Sequence, residues 1–188
     1  MASYSNLEDG IWLPHSSSVD FCESNYLHTS QIVEFHNTWS SILGISFFGL
    51  FGIITGNPTR EKRHTVSYLI LVLIGIGSSG LHGTLHWFFQ SSDELPMIYF
   101  INSLFYLCAE HDSPVGKLRY PNLPMKVFCV SVLNTFIYYS FRDKYAVFLV
   151  VFSVQVIVVL FWIYKIYSSK PDRSKATRLS MKLLIINF

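Results

Sequence analysis

Apolar runs with almost no charge alternate along this chain with short polar connections. Residues 35–59, 64–92 and 145–164 contain no Asp, Glu, Lys or Arg, in runs of 25, 29 and 20. A helix needs about 20 residues to cross a bilayer. Residues 95–109 and 127–141 form two shorter runs of 15. These cross only if their polar ends are included or the helix sits inside a bundle. The pattern predicts helices over roughly 36–56, 65–86, 93–111, 124–141 and 145–167. A sixth begins near Ser180, at "MKLLIINF", where only six residues follow Lys182. That is too few to cross, so either the chain is incomplete or this tail lies at the interface. The fold class is all-α: a polytopic membrane helix bundle with five spans plus a partial sixth. Residues 1–35 form an acidic N-terminal segment and residues 36–188 the bundle.

Composition agrees. Hydrophobic residues make up 51% and charged residues 14%, against roughly 25% charged in soluble domains. The net charge of +2 gives no reason to expect a nucleic-acid partner. Charge placement sets the orientation. Alternate loops hold twelve and two of the Lys and Arg residues. Basic loops stay in the cytoplasm, so the N-terminus is expected in a lumen. The first 30 residues have no Lys or Arg and no apolar core, so they do not read as a signal peptide. Cys22 falls on the lumenal side, where disulfides form. A bond to a cysteine elsewhere and a free thiol remain equal readings.

The chemistry concentrates in "GIGSSGLHGTLHWFFQSSDELPMIYF". Ser78, His82 and His86 recur every four residues, on one helix face. Asp93 and Glu94 open the next predicted helix at the same membrane depth. Ser78 either serves chemistry or bonds a carbonyl one turn back. Gly75, Gly77, Gly80 and Gly83 suggest close helix packing. Glu94 reads as a capping-box partner of Ser91, with Pro96 in the first turn. His82 is harder to dismiss, because ionisable groups in a membrane helix are costly; it is a metal ligand or a general base. His86 reads as interfacial, beside Trp87. A catalytic zinc takes three protein ligands, and no histidine follows His111.

A second constellation is "SSSVDFCESNYLHTSQIVEFHNTW". Asp20, Glu23, Asn25 and Glu34 are oxygen donors with no basic residue among them. They suit calcium, which takes six to eight oxygens, or simply a solvated acidic segment.

At these two segments together the chain resembles the alkaline ceramidase family. The carrying motifs are "SSVDFCESNY", "VEFHNTWS", "GSSGLHGTL" and "SSDELPMIY", in that order. The resemblance implies a seven-helix membrane protein that hydrolyses the ceramide amide to sphingosine and a fatty acid. It is closest to the broad-specificity branch acting on unsaturated ceramides. It implies that His82 is a zinc ligand, Ser78 stabilises the oxyanion, and Asp93 is the general base for the attacking water. It further implies that Asp20, the Phe21 carbonyl, Glu23, Asn25 and Glu34 hold calcium. An endoplasmic reticulum or Golgi membrane is expected, with ceramide and membrane lipid as partners.

The chain departs from the family pattern at several points. The family takes two further zinc histidines from a last helix that this sequence does not contain. Phe21 and His36 stand where tryptophan is common. Gly80 adds flexibility beside the ligand, and His86 is an extra imidazole. Low activity is expected of this polypeptide alone. The alternative is a non-catalytic short form that binds lipid or pairs with a full-length subunit. A seven-helix receptor with similar Ser, Asp and His residues is disfavoured by the acidic segment and the lumenal N-terminus.

Overall fold

The computed structural model describes residues 10–56 and 61–169. Among them all regular structure is helical. Helix α1 spans Phe35–Thr55 and is π-helical over Ser41–Ser46. It is followed by α2 (Lys62–Thr84), α3 (Trp87–Ala109), α4 (Leu123–Ser140) and α5 (Tyr145–Ser169). The sixth element expected near Ser180, and the basic residues Arg60 and Lys170 onward, lie outside the described residues.

Four helix starts fall within three residues of expectation. The exception is α3, which begins at Trp87 rather than 93. Leu85 adopts a left-handed conformation (φ 48°) that ends α2. His86 then caps α3 with extended backbone, its Nδ1 accepting from the Phe88 N–H at 3.3 Å. With so short a turn, α2 and α3 are antiparallel neighbours.

α3 is the hub. It packs against α2, α4 and α5, whereas α1 leans on α2 and α4 barely touches α5. Two apolar clusters hold this arrangement. Tyr26, Val33, Leu81 and Leu85 fix the N-terminal segment to the α2–α3 turn. Leu95, Ile98, Tyr138 and Phe148 join α3, α4 and α5.

The tightest contact is between α2 and α3 at Gly77. A Cβ there would fall on the Ser92 carbonyl and lie 2.8 Å from the Asp93 nitrogen. Pro96 sits inside α3 and has no N–H to return to the Ser92 carbonyl four residues earlier. The close approach of Gly77 covers that freed carbonyl. Gly80 meets the Phe89 ring, so it serves packing rather than flexibility.

Three segments are long and apolar enough to cross a membrane: Phe35–Thr55, Lys62–Thr84 and Tyr145–Ile166. The expectation of five is met only in part. α3 and α4 fall short by that measure, and for α3 the cause is visible. Gln90, Ser91, Asp93, Glu94 and Asn102 are all buried, so a bundle-centre helix carries polar groups that a lipid-facing one would not. α4 still exposes Phe128, Val132 and Phe136 at four-residue spacing.

Beyond α3, Glu110 organises the loop to α4. Its carboxylate accepts from the Ser113 hydroxyl and from the N–H groups of Arg119 (2.7 Å) and Tyr120 (2.8 Å). Burial raises this carboxyl's pKa. The hydrogen bonds, with help from Arg63, outweigh burial and leave it below its ordinary value.

Two outcomes follow from this packing. Gly77→Val forces α2 off the Ser92 carbonyl and should destabilise by about 1–3 kcal/mol, read as a lower thermal midpoint in detergent. For Glu110, a depressed folded pKa means its contribution is complete above the ordinary value of 4.5. That contribution is lost as pH falls through the lower folded value. The acid limb of stability against pH should therefore flatten in Glu110→Gln.

Candidate functional site

The last turn of α2 has carbonyls with no partner in their own helix. The N-terminal segment supplies the donors. Val33 N–H bonds the Gly83 carbonyl (3.1 Å) and Glu34 N–H the His82 carbonyl (2.9 Å). Ser16 and Ser17 N–H both reach the Leu85 carbonyl, at 3.0 and 2.9 Å. The Ser16 hydroxyl in turn accepts from the Trp87 N–H that opens α3 (3.1 Å). Gln90 completes the clamp. Its Oε1 takes the Ser18 N–H (2.8 Å), while its Nε2 donates to the Ser18 hydroxyl (2.6 Å) and to Glu94 (2.9 Å).

This docking places Glu34 on His82. The Glu34 side chain is wholly buried, and its Oε2 meets His82 Nδ1 while accepting from Asn37 Nδ2 at 3.1 Å. The Phe21 ring covers the imidazole, with centroids 4.6 Å apart. With Nδ1 held by a carboxylate, Nε2 is the ring nitrogen left for a metal or substrate. A carboxylate behind a ligating histidine is the usual arrangement in metal sites.

Ser78 lies one turn earlier, buried, with its Oγ 3.0 Å from Ser41 Oγ. Ser41 gives its single proton to the Asn37 carbonyl (2.8 Å), so Ser78 is the donor in the serine pair. Neither Ser78 nor Ser41 needs the backbone of α2. Asp93 is buried at the α2–α3 crossing, within electrostatic range of His82 and of Glu94. The structure thus gathers Ser78, His82 and Asp93 at one end of two crossing helices.

Two expectations are corrected. Glu94 is two turns inside α3, where it accepts from Gln90 and meets the Tyr138 hydroxyl; it caps nothing, because α3 begins at Trp87. His86 does not continue the Ser78–His82 face. The left-handed Leu85 breaks the helical phase, and His86 becomes the N-cap of α3.

The acidic segment divides. Asp20 is exposed. Both Glu23 oxygens accept N–H groups from the first turn of α1, His36 at 2.7 Å and Asn37 at 2.8 Å. Burial raises the Glu23 pKa, and these two bonds more than offset it, so the carboxyl sits below its ordinary value. Asn25 and Glu34 flank a single backbone bond, Tyr26 N–H to the Val33 carbonyl (2.7 Å). Asn25 Oδ1 and Glu34 Oε1 are both buried without a hydrogen-bond partner. Two orphaned oxygens in one acidic turn fit a hard cation. For zinc and calcium alike the fit is partial: among the described residues no three His, Cys, Asp or Glu side chains come together. Cys22 is an exposed free thiol.

Three partners were invisible to sequence reasoning: Glu34 on His82, Ser41 on Ser78 and Gln90 on Ser18. Each spans 37 to 72 residues, and nothing in local spacing marks them.

A model of the ceramidase family matches residues 13–188. The alkaline ceramidase 3 of Mus musculus is 33% identical over 162 residues, 82% of this chain and 60% of that protein. An alkaline ceramidase of Arabidopsis thaliana is 36% identical over 110 residues, 56% of this chain and 43% of its own length. One from Saccharomyces cerevisiae is 29% identical over 163 residues, 80% of this chain and 50% of its own. The chain thus spans between 43% and 60% of the length of these three relatives.

Glu34→Ala should strand His82 Nδ1 and Asn37 together. The expected loss is about 1–3 kcal/mol for a buried group left unsatisfied, measured by thermal unfolding. Glu34→Gln, which keeps the shape, should cost less.

Proposed function

The chain belongs to the alkaline ceramidase family, and on that premise we propose that it serves hydrolysis of the ceramide amide at the end of α2 and α3. The observation that carries this reading is the juxtaposition of Ser78, His82 and Asp93 behind the Glu34–His82 contact. In hydrolysis, water adds to the amide carbonyl carbon, the C–N bond breaks, and the amine leaves with a proton. Asp93 takes the proton of the attacking water and returns one to the amine. Ser78 turns its proton from Ser41 to the developing oxyanion. Ser78 and Asp93 are buried, and burial strengthens such bonds relative to water. The acyl chain lies along apolar helix faces, and the membrane delivers it there.

His82 Nε2 is one ligand for a zinc ion, which when bound would acidify water and polarise the carbonyl. Among the described residues no cluster of three His, Cys, Asp or Glu side chains completes the set. Asn25, Glu34, Glu23, Asp20 and the Phe21 carbonyl are the proposed calcium set, supported by the two orphaned oxygens. We further take α3 and α4 as spans, the loaded end as lumenal, and the membrane as endoplasmic reticulum or Golgi. One observation favours a second reading, a non-catalytic chain that binds lipid or a longer partner: His82 has no two companion ligands among the described residues.

The test is ceramide turnover at alkaline pH, with zinc and calcium contents measured on the same purified protein. Under the first reading, Ser78→Ala should lower turnover on the order of 10²–10³-fold, with His82→Ala also losing zinc. Ser41→Ala should leave turnover nearly intact. Glu34→Gln should lose calcium. Turnover indifferent to Ser78, His82 and Asp93 would sink this assignment. Calcium without zinc or turnover in the parent chain would select the second reading.

A further inference from the structure

His28 and His36 stand outside the site just described. His28 lies in the turn between Tyr26 and Val33, and His36 in the first turn of α1. Both are exposed. Their Nε2 atoms face each other at 3.0 Å, with the rings edge to face at 85°. Phe35 packs against both imidazoles, with centroids 5.1 and 5.7 Å away.

That geometry is close to a metal chelate. Zinc binds imidazole nitrogen at about 2.0–2.1 Å with tetrahedral angles, which puts two ligand nitrogens about 3.3–3.4 Å apart. The two nitrogens need to separate by a few tenths of an ångström and the rings to swing so that both lone pairs converge on one ion. A proton shared between two solvated imidazoles contributes little, since each can bond water instead. The Glu23 carboxylate is within electrostatic range of both rings, which favours a cation between them. Glu23 itself is occupied by the His36 and Asn37 N–H groups. No third His, Cys, Asp or Glu completes a cluster among the described residues, so solvent fills the remaining positions.

We propose that His28 and His36 form a surface site for a late first-row divalent ion, zinc or copper(II), separate from His82. Imidazole suits these ions, and copper(II) binds most tightly in the series. The ion ties the Tyr26–Val33 turn to the start of α1, beside the segment that carries Glu34. This site does not depend on the ceramidase reading.

The experiment titrates copper(II) into the metal-stripped, calcium-replete 188-residue protein in detergent, followed by electron paramagnetic resonance, with zinc as competitor. The expected result is one copper(II) with splitting from two nitrogens, displaced by zinc. In His28→Ala and in His36→Ala the affinity should fall at least about tenfold, or 1.4 kcal/mol, with one nitrogen lost from the pattern. The double variant should fall little further. His82→Ala should keep the signal. His28→Gln and His36→Gln, checked by circular dichroism, repeat the test in side chains that preserve the surface. Wild-type affinity in both single variants, or loss confined to His82→Ala, would overturn the assignment.

Discussion

Everything at the functional end of this molecule depends on how the last turn of α2 is satisfied. A helix that stops inside or at the edge of a membrane leaves carbonyls that water does not reach, and each is costly. Here the carbonyls of His82, Gly83 and Leu85 are taken by N–H groups of the N-terminal segment. The same docking that removes this cost delivers Glu34 to His82. Stability and the proposed chemistry are therefore coupled at one place: the segment cannot detach without both exposing the carbonyls and freeing the imidazole.

A second constraint operates along α3. The helix is unusually polar for its position because it is surrounded by neighbours rather than lipid. Pro96 frees the Ser92 carbonyl, and Gly77 lets α2 come close enough to cover it. The consequence reaches beyond packing. The close crossing sets Asp93 beside the turn of α2 that carries Ser78, so two residues of the proposed hydrolytic set owe their proximity to a glycine and a proline that take no part in the reaction. The π-helical stretch of α1 brings the Ser41 hydroxyl onto Ser78. Such stretches recur near functional sites.

Glu34 is the residue on which the proposed zinc and calcium sites converge. One of its oxygens serves His82, and the other, like Asn25 Oδ1, is buried without a partner. A buried carboxylate oxygen without a partner is expensive, so this arrangement is poised for a cation. Glu23, by contrast, already spends both oxygens capping α1. It can join a calcium shell only through its remaining lone pairs, while holding the helix start in place.

Charge-free runs showed five helices in the sequence, because the cost of burying charge in hydrocarbon is large enough to be written residue by residue. The same cost made His82 conspicuous and marked Asp93 for attention. Four motifs carried the family. What local reasoning could not supply was phase and partnership. Asp93 and Pro96 look like helix-start residues, whereas a left-handed Leu85 and the His86 cap begin α3 nearly two turns earlier. Burial by three neighbours then turned Glu94 from a cap into an internal acceptor. The pairs Glu34–His82, Ser41–Ser78, Gln90–Ser18 and His28–His36 exist only because the tertiary structure folds one segment over another. Spacing along the chain records which face of a helix a residue occupies; only packing decides what it meets there.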